Sequence, residues 1–383
     1  MSAGVVIVGG GQAGYQTAAS LRSEGYTEPI AIIGDEAGVP YQRPPLSKAL
    51  LLGKQAPDRL ALRPANWYVD RAVQWIPDTR VHSIDRSTRT VLAESGARFP
   101  YDYLVLATGA RNRTLNTPGA LYLRTLREGV ALQERLQQAS NVTVIGGGFI
   151  GLEVAAAARA LGKTVAVYDT GPRVMARAVC PEVSQYFEHT HAAQGVSIHT
   201  NFSATPPPAD LTLVGIGVIP NTDLAEMSGL AVANGIVTDS YLRTADPSIF
   251  AIGDCASYPN PFAAGGMVRL ESVQNAVDQA LCVARAIVGK PAPYRAVPWF
   301  WTEQFDIRMQ MAGIGTGADR IVLRGSTSDR KFSAVYFKSG RLIAADSINQ
   351  PAEHLAFRKL LDAGTPVTPE QAVDLSTDLK SLL

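Results

Sequence analysis

Cysteine is scarce in this 383-residue chain, and the three present, Cys180, Cys255 and Cys282, are far apart. They form neither a C-x-x-C pair nor a metal-ligand spacing, which excludes a closely spaced redox dithiol and a thiolate metal centre. Three reduced, partly buried thiols are expected instead. An excess of one charge is also lacking: 35 Lys and Arg balance 34 Asp and Glu to a net +1. With no long basic run, nothing favours a nucleic-acid partner. Long uncharged apolar runs are missing as well, since Arg159 and Lys163 interrupt the alanine-rich segment, so no membrane span is expected. The first strand pattern begins at Val5, which leaves no room for a signal peptide before it, and a glycine turn stands where a cleavage site would be. These absences together predict a cytoplasmic protein. Apolar residues at 46% and charged residues at 18% describe an ordinary globular chain, and its length predicts two or three domains.

What is present is organised around the beginning of the chain. The apolar run Val5-Val6-Ile7-Val8 leads into Gly9-Gly10-Gly11-Gln12-Ala13-Gly14 and then into a helical pattern from Gln16 to Arg22, with Ala18, Ala19 and Leu21 as a buried stripe. A strand, a G-x-G-x-x-G turn and a helix N-terminus form the arrangement that holds a dinucleotide pyrophosphate. Gly9 serves the tight turn, Gly11 lets backbone approach phosphate, and Gly14 lets helix and strand pack closely. A second apolar strand, Ile32-Ile33-Gly34, ends at Asp35-Glu36, where a ribose hydroxyl needs an acceptor.

Next comes Tyr41-Gln42-Arg43-Pro44-Pro45-Leu46-Ser47-Lys48, whose prolines prevent a continuous helix. Read from its residues alone, this is a helix entry capped by Ser47 with Lys48 in solvent. Strands are expected at 80–85 and 90–92, with Ser95-Gly96 as a turn, followed by a buried strand from Tyr101 that ends in Ala107-Thr108-Gly109. Small residues at a strand's carboxyl end allow close approach of a nucleotide.

The opening motif then repeats. Asn141 to Ile145 leads into Gly146-Gly147-Gly148-Phe149-Ile150-Gly151-Leu152-Glu153, an alanine-rich helix, and the strand Thr164 to Tyr168, which ends at Asp169. Two complete fingerprints imply two dinucleotides, and FAD with a nicotinamide nucleotide is the pair between which hydride transfer makes doubling useful. A carboxylate at Asp169 accepts from a ribose 2′-hydroxyl and repels a 2′-phosphate, which favours NADH over NADPH, although Arg173 and Arg177 lie nearby. Asp210 to Asn221 is a further strand ending in glycines, and Thr244 to Ala256 reads as a strand with Asp254 near its end. Asp254 alone reads equally as a turn residue or as an acceptor for ligand hydroxyls.

These segments, together with Glu271 to Ala276 and the aromatic run Pro298-Trp299-Phe300-Trp301-Thr302-Glu303-Gln304-Phe305-Asp306, resemble the FAD-dependent, NADH-using ferredoxin reductases of bacterial Rieske-type oxygenases and cytochrome monooxygenases. The resemblance covers nearly the whole chain. It implies a glutathione-reductase-like α/β fold with two Rossmann-like dinucleotide-binding domains and a C-terminal α+β interface domain. It also implies electron transfer from NADH through FAD to a [2Fe–2S] ferredoxin, in a monomer or homodimer. Related alternatives are a rubredoxin reductase, a monodehydroascorbate-type reductase, an NADH oxidase, and an apoptosis-inducing-factor-like flavoprotein that senses NADH.

By the same resemblance, Lys48 sits near the reactive flavin nitrogen and pairs with Glu153, with Trp301 beside the flavin ring. The FAD-contacting set is Gly9, Gly11, Ala13, Gly14, Asp35, Glu36, Arg43, Lys48, Val81, Ala107, Thr108, Gly109, Arg124, Gly253, Asp254, Ser272, Val273 and Trp301. The NADH-contacting set is Gly146, Gly148, Phe149, Ile150, Gly151, Glu153, Asp169, Thr170, Arg177, Gly217 and Glu271. No metal site is implied. A cation beside the flavin stabilises charge as the ring accepts hydride, and no acid–base residue is needed for the transfer itself. This places Lys48 in the site rather than in solvent.

The expected domains are 1–113 with 236–297 for FAD, 114–235 for NADH, and 298–383 for the interface domain. One departure from the family pattern lies between His199 and Asp210, where three prolines, Pro206 to Pro208, stand in place of a longer antiparallel meander. The NADH domain is therefore expected to have a trimmed edge. In the last domain, 331–338 and 341–347 pair as a hairpin through Ser339-Gly340, and Ala352 to Ala363 forms a helix. Arg71, Arg308, Arg324 and Arg330 are candidates to meet an acidic ferredoxin.

Overall fold

Strands that are apolar at every position, not at alternate ones, belong in a sheet covered on both faces. The computed structural model, which describes residues 3–383, places Val5–Val8, Ile30–Ile33, Val73–Ile76, Tyr103–Leu106 and Ile249–Ala251 in one parallel sheet. Spatially the order runs from Ile249–Ala251 through Tyr103–Leu106, Val5–Val8 and Ile30–Ile33 to Val73–Ile76. Val5 and Ile7 face one core with Ala18 and Leu21 of the helix Gln12–Ser23 and Val283 and Ala284 of the helix Val273–Ile287. Val6 and Val8 face another core with Val81, Ile84 and Val91, contributed by the strands Val81–Asp85 and Thr90–Ala93 of an antiparallel sheet completed by Arg98–Pro100. The first helix starts at Gln12, earlier than the apolar stripe announces, because the glycine turn is finished by Gly11.

This sheet belongs to one of two compact units, comprising the chain up to Gln42, Leu60–Arg111 and Ile219–Ala296. The other comprises Arg43–Arg59, Asn112–Val218 and Val297–Leu383. Its parallel sheet has four strands, in the order Val196–His199, Thr164–Tyr168, Asn141–Ile145 and Leu211–Val214. Between His199 and Leu211 there is no strand, so Val196–His199 stands at the sheet's edge.

The second unit also carries a five-stranded antiparallel sheet of Trp299–Gln304, Ile307–Gly313, Arg341–Ile348, Lys331–Lys338 and Arg320–Ser326. Its hairpin turns at Ser339 and Gly340, both with positive φ (49° and 75°), the backbone that two-residue hairpin loops favour. One face packs Ile307, Met309, Phe332, Ala334 and Ala344 into the core shared with Val144, Val167, Leu152 and Phe187. On the other face Val335, Phe337 and Ala345 pack on Phe357 and Leu360 of the helix Pro351–Ala363, which ends at Gly364 in a left-handed conformation.

An acid interrupts the inner face of that sheet. Asp346 is 2% exposed, lies opposite Met311 and Ala334, and accepts a hydrogen bond from the Tyr336 hydroxyl. The same hydroxyl accepts from the Cys180 backbone N–H at 3.0 Å. Burial pushes the Asp346 carboxyl up to about 7 and raises Tyr336 as well. The neutral carboxyl is therefore the form the fold favours. Its contribution to stability is complete below the unfolded value of 3.8 and is lost as pH rises through about 7. Asp346→Asn, which stays neutral, is expected to gain stability relative to the wild type by a few kcal/mol on going from about pH 4.5 to about pH 8. Urea-unfolding midpoints at the two pH values measure this directly.

Candidate functional site

Both glycine turns adopt the geometry that only glycine permits. In the first unit Gly9 has φ +122°, and a Cβ there would meet the Ala107 carbonyl oxygen at 2.1 Å. A Cβ on Gly14 would come within 1.9 Å of the Gly9 carbonyl oxygen, while one on Gly11 would meet nothing within 4 Å. In the second unit Gly146 has φ +113°, and a Cβ on Gly151 would come within 2.0 Å of the Gly146 carbonyl oxygen. Gly11 and Gly148 are the N-caps of their helices, and neither supplies a side-chain acceptor. The first-turn N–H groups of both helices are thus left to an anion, which is the fit a dinucleotide pyrophosphate requires.

Around the first turn, Ala13 lies against Gly253, where an added Cβ would be 3.3 Å from the alanine's own. The Gly253 N–H donates to Gln279 Oε1 at 2.7 Å, and the Gln279 amide nitrogen is buried with no partner among the described residues. Glu36 accepts from the Tyr41 hydroxyl at 2.6 Å, while its neighbour Asp35 is exposed. Thr108 and Asn221 lock together: the threonine hydroxyl donates to the Asn221 carbonyl at 2.6 Å, and the Asn221 amide donates to the Thr108 carbonyl at 2.8 Å. This fixes Ala107-Thr108-Gly109 at the end of its strand. Arg269 joins the Glu271 carboxylate (2.7 Å) to the Asp254 carbonyl (3.2 Å), and Ser272 caps the helix that begins at Val273. Val81 is buried at the start of its strand in the same unit.

In the second unit Asp169 stands at the end of its strand with both carboxylate oxygens engaged, one by Gly147 N–H and one by Gly171 N–H, each at 2.6 Å. Thr170 beside it is exposed. The shortened segment folds back on this loop: Phe202 N–H donates to the Asp169 carbonyl at 2.9 Å, and its ring packs on Tyr168 at 4.6 Å. Arg173 is turned inward onto the carbonyls of Ala176 and Cys180, whereas Arg177 is exposed beside Gly217. Ile150 leaves 43% of its surface exposed at the helix start, and Phe149 packs on Phe300 at 4.8 Å.

The same unit contains Lys48 and Glu153, 2.7 Å apart, with side chains 19% and 2% exposed. Here the structure corrects what the residues alone predict for Pro44 to Lys48. Pro44–Ser47 is a single 3-10 turn, not the entry to an α-helix, and the Ser47 hydroxyl donates to Glu153 Oε2 at 2.5 Å instead of capping. A buried carboxylate needs several donors, and this loop supplies two of them. Thr302 supplies a third, donating to Oε1 at 2.7 Å. Arg43 donates to the Arg124 carbonyl at 2.6 Å. Trp301 is half-buried, its ring 5.6 Å from that of Trp299. Arg43, Lys48, Arg124 and Trp301 thus lie in the second unit, and Glu271 in the first.

Sequence reasoning missed Ser47, Thr302, Asn221, Gln279 and Arg269. Only Thr302 carried a signal, as a polar residue in register with Phe300 on a strand that opens with three aromatics.

All three cysteines are free thiols. Cys180 and Cys255 are buried, and burial pushes all three thiols upward, Cys180 and Cys282 each to about 11. Cys255 and Cys282 face backbone carbonyls of Ile252 and Ala292. Among the described residues there is no cluster suited to a metal ion, and no helix is long and apolar enough to cross a membrane.

Residues 3–280 match the model of the pyridine nucleotide-disulphide oxidoreductases, and 299–383 match a reductase C-terminal domain. The chain belongs to the pyridine nucleotide-disulphide oxidoreductase family. Within this family it is 48% identical to rhodocoxin reductase of Rhodococcus erythropolis, over 98% of this chain and 93% of that protein. Among solved structures it resembles the ferredoxin reductase for the CYP199A2 system of Rhodopseudomonas palustris, with TM-score 0.95, 47% identity and 98% of each chain covered. It also resembles the reductase in the covalent putidaredoxin reductase–putidaredoxin complex, with TM-score 0.96, 38% identity, and 99% of this chain and 97% of that one covered. As in other enzymes of this family, FAD and a nicotinamide dinucleotide are its cofactors.

The two turns can be broken separately. Gly14→Ala and Gly151→Ala each drive a methyl group into the carbonyl of the turn's first glycine. Gly14→Ala is expected to purify with little bound flavin. Gly151→Ala is expected to stay yellow and to bind NADH at least about tenfold more weakly, a loss of about 1.4 kcal/mol. Flavin absorbance and NADH titration check both.

Proposed function

We propose that this protein is an NADH-dependent ferredoxin reductase that passes electrons from NADH through FAD to a [2Fe–2S] ferredoxin serving an oxygenase. The observation that carries this reading is the pair of glycine turns of matching geometry, in a chain whose three cysteines are all free. With no thiol relay, electrons leave for an external acceptor. The putidaredoxin complex of a relative supports a small redox protein in that role. Bound FAD supplies the chemistry, taking two electrons with a hydride and releasing them one at a time.

The chain's own residues divide the remaining work. Segments 1–113 and 236–297 hold FAD, with Gly9 to Gly14 on the pyrophosphate, Glu36 at the adenosine ribose and Asp254 at the ribityl chain. Segment 114–235 holds NADH, with Gly146 to Gly151 on the pyrophosphate, and 298–383 carries Trp301 and the ferredoxin-facing side. Lys48, paired with Glu153, would supply the positive charge that stabilises the flavin as it gains electrons. Asp169 lends its remaining lone pairs to the nicotinamide-nucleotide ribose. The protein works in the cytoplasm as a monomer or homodimer.

Anaerobic stopped-flow mixing tests the reading. Flavin absorbance is expected to bleach rapidly with NADH and to return rapidly when a [2Fe–2S] ferredoxin is added; bleaching followed by reoxidation by oxygen alone would overturn the acceptor assignment. NADPH is expected to require at least about tenfold higher concentration than NADH for half-maximal bleaching, because a 2′-phosphate faces the Asp169 carboxylate. Asp169→Ser is expected to narrow that ratio.

A further inference from the structure

Glu153 ends a line of buried hydrogen bonds that neither nucleotide fingerprint calls for. Oε1 accepts from the Thr302 hydroxyl at 2.7 Å, Thr302 Oγ1 accepts from Gln304 Nε2 at 3.2 Å, and Gln304 Oε1 lies 2.8 Å from His191 Nε2. Thr302, Gln304 and His191 are 0%, 1% and 0% exposed. Thr302 and Gln304 stand two residues apart on the strand Trp299–Gln304, hence on one face, and His191 comes from the last turn of the helix Pro181–Ala193. The Phe305 ring meets the imidazole edge-on at 4.9 Å, which fixes its plane.

The polarity of this line is determined by its members. The Gln304 oxygen can only accept, so His191 donates through Nε2–H, and Nδ1 is left bare, buried and without a partner among the described residues. Burial lowers the His191 pKa, in keeping with a neutral ring. Gln304 then donates to Thr302, and Thr302 to the carboxylate. Every dipole points the same way and the line terminates on negative charge, the arrangement in which successive hydrogen bonds strengthen one another. On the opposite side Oε2 receives Ser47 and Lys48. The two oxygens of Glu153 are thereby given separate tasks.

We propose that Thr302, Gln304 and His191 are positioning residues for Glu153: by holding Oε1 they fix the plane of the carboxylate, so that Oε2 keeps the Lys48 ammonium aimed for hydride transfer. This rests on the reading of Lys48 and Glu153 as part of the reacting site. A valine at 302 preserves shape and removes the donor; a serine restores the donor.

Four variants of the FAD-loaded protein test the proposal. Thr302→Val is expected to lower the limiting rate of flavin reduction by NADH about tenfold with less than about a twofold change in NADH dissociation constant, because the phosphates and riboses are held elsewhere. Thr302→Ser is expected to recover to within about twofold of the wild type. Glu153→Gln is the reference. If it reduces at the wild-type rate, the underlying reading of the pair fails; if it is slow while Thr302→Val matches the wild type, the positioning proposal fails alone. A readout independent of turnover is the ring-nitrogen NMR spectrum of 15N-histidine-labelled protein. His191 is expected to show the Nε2–H tautomer in the wild type and to lose that signature in Gln304→Leu. A wild-type signal of the Nδ1–H tautomer would overturn the polarity on which the proposal stands.

Discussion

A carboxylate removed from water must be met by donors, and Glu153 is the place where this requirement shapes the second unit. At 2% side-chain exposure it draws in the proline-bound turn through Ser47 and Lys48 and the aromatic strand through Thr302. Those partners lie more than a hundred residues away on either side of it. Removing one of them would leave buried charge uncompensated, which is costlier than losing an exposed ion pair. The turn at 44–48 is consequently fixed by a group it could not have found through local propensity. Helix formation there would have carried Ser47 and Lys48 away from the acid.

The doubled glycine turn rests on a different constraint, excluded volume. At Gly14 and Gly151 a single methyl group would overlap a carbonyl oxygen, and at Gly9 and Gly146 the backbone needs a φ that other residues avoid. Strand, turn and helix are forced into one geometry twice, in segments whose remaining sequence differs. The helix ends that result are uncapped by side chains. Side-chain caps close the helices that start after Thr125, Ser272 and Thr368; at Gly11 and Gly148 no side chain can take that role, and the backbone donors stay available to a ligand.

Much of this was legible in the sequence because it depends on short spacings. Continuous apolar runs such as Val5–Val8 and Tyr103–Leu106 announce doubly covered strands, and Ser339-Gly340 announces its hairpin. The resemblance to ferredoxin reductases pairs Lys48 with Glu153 from sequence alone, and the two lie 2.7 Å apart. What could not be read were partnerships that exist only after packing. Asn221 clasps Thr108 across 113 residues, and His191 meets Gln304 across another 113. Neither pair has a periodicity or a motif, since a lone polar residue in an apolar stretch does not say which distant group will satisfy it. The Pro-Pro-Leu-Ser-Lys segment misled for the same reason: its local chemistry describes a helix cap, and a distant carboxylate outbids it.

The condition of the cysteines sets a limit on how the enzyme can run. Burial keeps Cys180 and Cys255 as inert thiols, and Cys282 shares their raised pKa. A dithiol partner would let a flavoprotein hold a second pair of electrons while the first awaited collection. On the reading proposed here the protein has capacity for one pair only, so each charge from NADH must be fully drained before the next is accepted. Every NADH consumed then calls for two separate visits by a one-electron carrier.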